Sequence, residues 1–216
     1  MTLRLHYHPL SSYCWKVLIA LHENDTPFEP VLVDLSKEED RNAFYALWPI
    51  GKFPVVEDTA RNNWFVPESS IIIEYPNQHY PGRTKLIPAD PDAARQTRMR
   101  DRFFDLHVHN HMQKIIADRL RPQGANDTIG VSMARSQMDT ALGMVERQIG
   151  DHWTMGESFT MADCAAAPAL YYANLVAPLE PKYPRTLAYL ARLMARRSFA
   201  RVLKDAEPYF DMFPKD

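Results

Sequence analysis

The sequence has few cysteines, no excess of charge of one sign and no long apolar run. Two cysteines, Cys14 and Cys164, cannot build a disulfide framework, which favours a reducing cytoplasm. The formal net charge is −2, so no basic surplus indicates binding to nucleic acid or to an anionic membrane. No apolar run reaches the roughly 20 residues that span a bilayer, and the first residues alternate in polarity, unlike a signal peptide. We therefore expect a cytoplasmic protein with neither nucleic-acid nor membrane partners.

Residues 1–80 carry alternating strand and helix signals. Leu3, Leu5 and Tyr7 alternate with polar residues, which predicts a short strand. Apolar residues at helical spacing predict a helix over 13–22, and the remaining pattern extends the order to β-α-β-α-β-β-α. Such alternation implies at least one parallel strand pair joined by a right-handed crossover.

The second half of the chain carries helical signals alone. Residues 81–91 contain three prolines and a glycine, which indicates a linker. Helical periodicity follows over 92–120, 129–149, 161–177 and 183–195. The predicted layout is a small α/β domain at 1–80, a linker at 81–91 and an all-helical domain at 92–216.

Four segments, taken in order, resemble cytosolic glutathione S-transferases of a serine-type, bacterial-like kind. They are SSYCWKV at 11–17, WPIGKFPVV at 48–56, PESSIIIEY at 67–75 and GESFTMAD at 156–163. The resemblance implies a thioredoxin-like N-terminal domain followed by an all-α C-terminal domain. It also implies a transferase that uses glutathione as co-substrate without a metal, and a homodimer. The second substrate would be a small hydrophobic electrophile.

Two of these segments carry the expected glutathione-binding residues. The N-terminus of a helix offers unpaired N–H groups to a carboxylate. Glu68 and Ser69 open such a predicted helix, and the resemblance places the γ-glutamyl end of glutathione there. It also implies a cis peptide bond at Phe53-Pro54, which would turn the Phe53 backbone toward the cysteinyl part of the ligand. Lys52 would meet the glycyl carboxylate.

The expected catalytic residues are Ser11 and Ser12. A hydroxyl that donates a hydrogen bond to sulfur stabilises the thiolate of glutathione, which is the nucleophile. The resemblance favours Ser11 and leaves Ser12 as the alternate, with the hydroxyls of Tyr7 and Tyr13 as weaker rivals. Cys14 keeps a second hypothesis open, a glutathione-dependent thiol-disulfide oxidoreductase, although a packing role suits this residue better. A third hypothesis is a non-catalytic interaction protein of the same fold.

Three histidines at 107, 109 and 111 invite a metal hypothesis. His107 and His111 have the i,i+4 spacing that can hold zinc, but no third ligand is evident. The resemblance instead places this helix beside the cleft between the domains. His107, His111 and Ile115, together with Leu10, are therefore the predicted electrophile pocket.

Two further features bear on the fold. Thr160 and Asp163 have the spacing of a capping box, which predicts a structural role at the start of a helix. Pro76 falls inside the third predicted helix, where the family usually has an apolar helix former. Because proline lacks a backbone N–H, this helix should end early or kink near Tyr75.

Overall fold

A four-stranded mixed sheet occupies the first third of the chain. The computed structural model describes residues 3–214. The strands are β1 (Leu3–Tyr7), β2 (Phe28–Leu32), β3 (Val55–Asp58) and β4 (Trp64–Pro67), in the order β2-β1-β3-β4. β1 runs parallel to β2, with Leu3 opposite Phe28, and antiparallel to β3, which in turn is antiparallel to β4. The predicted parallel pair is confirmed.

Three helices cover the two faces of this sheet. They are α1 (Ser12–Glu23), α2 (Glu38–Leu47) and α3 (Ser69–His79). The side chains of β3 alternate between faces: Val56 joins the main core with α1 and α3, whereas Val55 packs with Phe44 of α2 in a second cluster. The predicted order of strands and helices is confirmed.

The third helix continues through Pro76 to His79, so it does not end early; the alternative, a kink near Tyr75, stays a prediction. Tertiary contacts hold the helix on both sides of the proline. The hydroxyls of Tyr75 and Tyr80 both donate to Asp58 Oδ2, at 2.8 and 2.5 Å, and Pro76 itself is buried. These contacts offset the cost of the missing backbone hydrogen bond.

Beyond residue 90 the described chain is helical. It comprises α4 (Pro91–Phe103), a π-helical turn (Phe104–His109), α5 (Asn110–Arg119), α6 (Thr128–Gln148), α7 (Met161–Val176), α8 (Pro184–Ala195), α9 (Arg197–Ala206) and a 3₁₀ segment (Glu207–Met212). Helix α9 was not among the predicted elements. Within residues 3–214 no helix combines the length and apolarity needed to cross a membrane.

The two halves share one apolar core. Helix α7 is buried along nearly its whole length and packs against α1, which also contacts α9. The predicted capping box at the start of α7 is confirmed, because Asp163 accepts from the Thr160 N–H at 2.8 Å. Asp163 also accepts from the Thr154 N–H at 2.8 Å and from the Tyr189 hydroxyl at 2.5 Å. One buried carboxylate therefore ties the helix start to two other segments.

Candidate functional site

The start of α3 presents an uncapped helix N-terminus. Glu68 precedes the helix with a φ of +68° and is exposed, while Ser69 is its first residue and is buried. None of the described side chains caps this end, so its first-turn N–H groups and their positive potential are available to a ligand. A positive φ at a non-glycine residue is strained backbone, which is often found at ligand sites.

A second backbone edge lies beside this helix end. The peptide bond between Phe53 and Pro54 is cis, as the resemblance implied. β3 begins only at Val55, and within residues 3–214 no hydrogen bond engages the N–H or C=O of Phe53. An extended ligand can therefore pair with this edge as an added strand.

One cleft of about 340 Å³ brings these features together. All five residues that we predicted to bind glutathione line it, namely Lys52, Phe53, Pro54, Glu68 and Ser69. The cleft is also lined by Tyr13 from α1 and by Arg102 and Asp105 from the helical half. The arrangement offers backbone donors for a carboxylate, an exposed glutamate for an ammonium and a lysine for a second carboxylate.

Beneath this cleft lies a buried charge cluster that sequence reasoning missed. The ammonium of Lys16 is 2.7 Å from the carboxylates of both Asp101 and Asp105 and donates to Ser70 at 2.8 Å. Ser70 in turn donates to Asp101 at 2.6 Å. Burial raises the pKa of Asp105. Lys16 therefore joins α1 to two carboxylates of the helical half, and the only sequence signal was a lysine in an apolar helix.

The two predicted catalytic serines lie in different surroundings. Ser11 is the N-cap of α1, and its hydroxyl accepts from the Cys14 N–H over a long 3.4 Å. Ser12 is buried, with its hydroxyl 3.0 Å from Nε2 of His109. Neither serine lines the cleft described above, which reaches α1 at Tyr13.

The loop before α1 is held on several sides. The N–H of Ser11 donates to the His8 carbonyl at 3.0 Å, and the indole of Trp15 donates to the Pro9 carbonyl. From the helical half, the Tyr172 hydroxyl donates to the Leu10 carbonyl at 2.8 Å. These bonds fix the direction in which the Ser11 side chain leaves the backbone.

The helical half also contacts the first turn of α1. His109 meets Ser12, and the neighbouring Asn110 accepts from the Tyr13 hydroxyl at 3.2 Å. The ring of His109 lies edge-on to the Tyr13 ring, with centroids 4.4 Å apart. Burial lowers the pKa of His109 to about 3, so the imidazole is neutral at neutral pH. The sequence predicted His109 only as one of three possible metal-binding histidines, and its contact with Ser12 was not predicted.

The residues of the predicted electrophile pocket do not line this cleft. His107 is exposed beside the Phe103 ring, at 5.4 Å between centroids. His111 is partly exposed, whereas Ile115 is 2% exposed in the core. None of these side chains, nor that of Leu10, lines that cleft, and their role stays a prediction.

The surroundings of the cysteines and histidines give little support to thiol-disulfide exchange or to metal binding. Both cysteines are buried and unpaired, and burial raises the pKa of the Cys14 thiol to about 12. A thiol with such a pKa is a poor nucleophile. Within the described part of the chain, no group of three or more His, Cys, Asp or Glu side chains is placed to hold a metal ion.

Family models match most of the chain. Residues 5–84 match the glutathione S-transferase N-terminal domain, and residues 93–192 match the glutathione S-transferase C-terminal domain. A glutathione S-transferase named hmp2 from Hypomyces subiculosus is 24% identical and aligns over 95% of this chain and all of its own length. Glutathione S-transferase PARB from Nicotiana tabacum is 26% identical over 94% of this chain and 98% of its own.

Solved structures agree with these matches. A glutathione S-transferase from Methylobacillus flagellatus, solved with glutathione bound, has a TM-score of 0.83 and 26% identity over 93% of this chain and 98% of its own. A glutathione S-transferase from Methylobacterium radiotolerans, complexed with glutathione sulfonate, has a TM-score of 0.81 and 27% identity over 94% of both chains. The predicted fold, a thioredoxin-like domain followed by a helical domain, is confirmed, and the chain belongs to the glutathione S-transferase family.

Proposed function

We propose that this protein is a glutathione transferase that activates the glutathione thiol for attack on a small hydrophobic electrophile. The observation that carries the proposal is the cleft in which the uncapped start of α3 and the free backbone edge of Phe53 lie together. The relatives in which glutathione has been seen share this fold over nearly the whole chain. No metal is needed for this chemistry.

Glutathione would lie across the cleft with its γ-glutamyl end at α3. The N–H groups of Ser69 and Ser70 would bind its carboxylate, and Glu68 would face its ammonium. The backbone of Phe53 would pair with the cysteinyl unit, and Lys52 would meet the glycyl carboxylate.

We assign the thiolate-stabilising hydroxyl to Ser11. Ser12 is buried and already engaged with His109 at 3.0 Å, so a turn toward sulfur would leave the buried Nε2 of His109 unpaired. Among the described residues, the Ser11 oxygen accepts one long bond and its O–H donates to none, which leaves the O–H free to donate. The N-terminus of α1 adds favourable potential for a thiolate at the same place.

The two serines allow a matched test. Ser11→Ala should lower kcat/KM with a generic aromatic electrophile about 10–100-fold, since a hydrogen bond to a charged group contributes about 1.5–3 kcal/mol. The thiolate absorbance of bound glutathione should fall in parallel at neutral pH. Ser12→Ala should change both by less than about threefold, and both variants should still be retained on immobilised glutathione. Equal losses in the two variants, or a loss confined to Ser12→Ala, would refute the assignment.

The thiol-disulfide oxidoreductase alternative requires a reactive Cys14, which burial opposes. A non-catalytic interaction protein would keep the fold without turnover. Retention on immobilised glutathione with no conjugation of any aromatic or alkyl electrophile would favour that role over the enzyme.

We also propose a homodimer formed through α3 and α4. Ile71 and Met99 are 52% and 49% exposed on these helices, and the carboxylate of Glu74 makes a two-pronged ion pair with Arg98 at 2.7 and 2.8 Å between them. Light scattering should report twice the mass of the chain, and Ile71→Glu should shift it to the monomer. A monomeric parent protein would overturn this proposal.

The two buried, unpaired thiols suit a cytoplasmic location, which we propose as the site of action. Cell fractionation tests it, and recovery from an oxidising compartment would argue against it.

A further inference from the structure

Two peptide units flank the Cα atom of Ser11, and hydrogen bonds hold both of them. In the unit before it, the Ser11 N–H donates to the His8 carbonyl at 3.0 Å. The Leu10 carbonyl of the same unit accepts from the Tyr172 hydroxyl at 2.8 Å. In the unit after it, the Ser11 carbonyl accepts from the Trp15 N–H at 2.9 Å. Because each peptide unit is planar, these bonds fix the direction of the Ser11 Cα–Cβ bond.

The bond from Tyr172 comes from the other half of the chain. Tyr172 lies on α7, 162 residues beyond Leu10, whereas the other two bonds are made within the loop and the first turn of α1. Without this hydroxyl, the Leu10–Ser11 peptide unit would keep the bond at its N–H end and could rotate about it. The direction of the Ser11 side chain therefore depends on a residue of the helical half.

The donor of this bond is held rigidly. Tyr172 is 2% exposed, and α7 is buried along nearly its whole length. The Tyr172 ring stacks on that of Phe213, with centroids 5.5 Å apart and planes at 24°, and lies 4.8 Å from the Trp15 ring. Burial raises the pKa of Tyr172, so its hydroxyl stays protonated and remains a donor for the carbonyl.

Trp15 connects the ring of Tyr172 to the same loop. Its indole N–H donates to the Pro9 carbonyl, and its ring is fully buried against Tyr172. Two successive carbonyls of the loop, those of Pro9 and Leu10, are thus bound by two rings that contact each other. Removal of the Tyr172 hydroxyl alone would leave this packing in place and would remove one of the two bonds.

The preceding tyrosine packs on the same indole without such a bond. The Tyr171 ring lies 5.3 Å from that of Trp15 and 6.0 Å from that of Phe210, and the residue is partly exposed. Within residues 3–214 its hydroxyl makes no hydrogen bond. The two tyrosines therefore separate the contribution of a hydroxyl that holds the loop from the contribution of a ring packed on Trp15.

We propose that Tyr172 is a positioning residue for thiol activation: its hydroxyl holds the Leu10–Ser11 peptide unit so that the Ser11 O–H donates to the sulfur of bound glutathione. This role rests on the proposed function, in which Ser11 supplies the thiolate-stabilising hydroxyl. Tyr172 does not line the cleft that contains Phe53 and Ser69. Because a hydrogen bond weakens steeply as its angle closes, a rotated Ser11 would stabilise the thiolate less while the rest of glutathione stays bound.

The test is a pH titration of the thiolate absorbance of glutathione bound to the full chain, because this readout needs binding but no turnover. At a pH below the pKa of the bound thiol, Tyr172→Phe should lower the thiolate fraction about fivefold, the contribution of one neutral hydrogen bond. The affinity for S-methylglutathione, which has no thiol, should not change. Tyr171→Phe should change neither quantity. Equal effects of the two variants, or weaker binding of S-methylglutathione to Tyr172→Phe, would overturn the proposal.

A double variant shows whether Tyr172 acts through Ser11. In the Ser11→Ala background, Tyr172→Phe should lower the thiolate fraction by less than about twofold more, because the hydroxyl that it positions is absent. A further fivefold loss would overturn the proposal. An unchanged thiolate fraction in Ser11→Ala would refute the assignment of Ser11, and the role of Tyr172 with it. A loss in Ser11→Ala without one in Tyr172→Phe would refute the role of Tyr172 alone.

Discussion

The contact between His109 and Ser12 makes a specific prediction about stability in acid. His109 is 2% exposed, and burial lowers its pKa from the ordinary value of 6.5 to about 3. The unfolded chain binds a proton at this histidine below about pH 6.5, whereas the folded chain keeps it neutral until about pH 3. The stability that depends on His109 is therefore complete above pH 6.5 and is lost as the pH falls toward 3.

The size of this loss follows from the two pKa values. For one proton, each pH unit between the two pKa values lowers the free energy of unfolding by about 1.36 kcal/mol. Lowering the pH from 7 to 5 should therefore remove about 2 kcal/mol of unfolding free energy through His109 alone. His22, whose pKa burial lowers to about 4, adds a loss in the same direction, so the wild-type slope by itself does not isolate His109.

The variant His109→Gln isolates the contribution of His109, because glutamine keeps a polar group near Ser12 and cannot titrate. Urea unfolding at pH 7, 6 and 5 should show a wild-type loss that exceeds the loss in His109→Gln by about 2 kcal/mol. The comparison is between slopes, so a lower starting stability of the variant does not affect it. Parallel slopes would show that His109 is not held neutral, and the reasoning would fail.

Three further outcomes follow from buried groups. Asp163→Asn removes the charge that accepts hydrogen bonds from Thr154, Thr160 and Tyr189. It should lower the free energy of unfolding, measured in urea, by about 3 kcal/mol. The folded fraction should still be retained on immobilised glutathione. Unchanged stability would contradict this. Lys16→Met leaves two buried carboxylates unpaired and should lower the free energy of unfolding by about 3–5 kcal/mol. Adding Asp101→Asn should restore part of this stability. A double variant no more stable than Lys16→Met would exclude charge pairing as the cause. Cys14→Ser should retain conjugation activity in a standard turnover assay, and its loss would revive the thiol hypothesis.

Local patterns were enough to predict most of the fold. Alternation in β1 reflects burial of one face, which is a property of neighbouring residues, whereas α1, predicted from its apolar residues, is buried on all sides from Cys14 to Leu21. The capping box at Thr160 and Asp163 is a contact over three residues, so its sequence spacing predicts its geometry. At Pro76 the local pattern was not enough. Whether the helix survives the proline depends on Tyr75 and on bonds to Asp58 that no local pattern reveals.

The residues proposed to bind glutathione were easier to bring together from the sequence than those at the sulfur end, for the same physical reason. Lys52, Phe53 and Pro54 come from one segment and Glu68 and Ser69 from another, and both lie at strand or helix ends whose positions the sheet determines. The choice between Ser11 and Ser12 depends instead on what faces each hydroxyl from the other half of the chain. That partner, His109, is 97 residues away from Ser12.

The π-helical turn at Phe104–His109 explains why that partner was missed. In an α-helix, His107 and His111 share a face by i,i+4 spacing, and this regular spacing supported the metal hypothesis. The wider turn changes the register of the side chains that follow it. In the structure, Asp105, His109 and Asn110 all reach α1, where they bind Lys16, Ser12 and Tyr13 respectively. Three bonds to one helical turn are a tertiary reason for the wider turn, and they make the helical half a part of the site where the thiol would be activated.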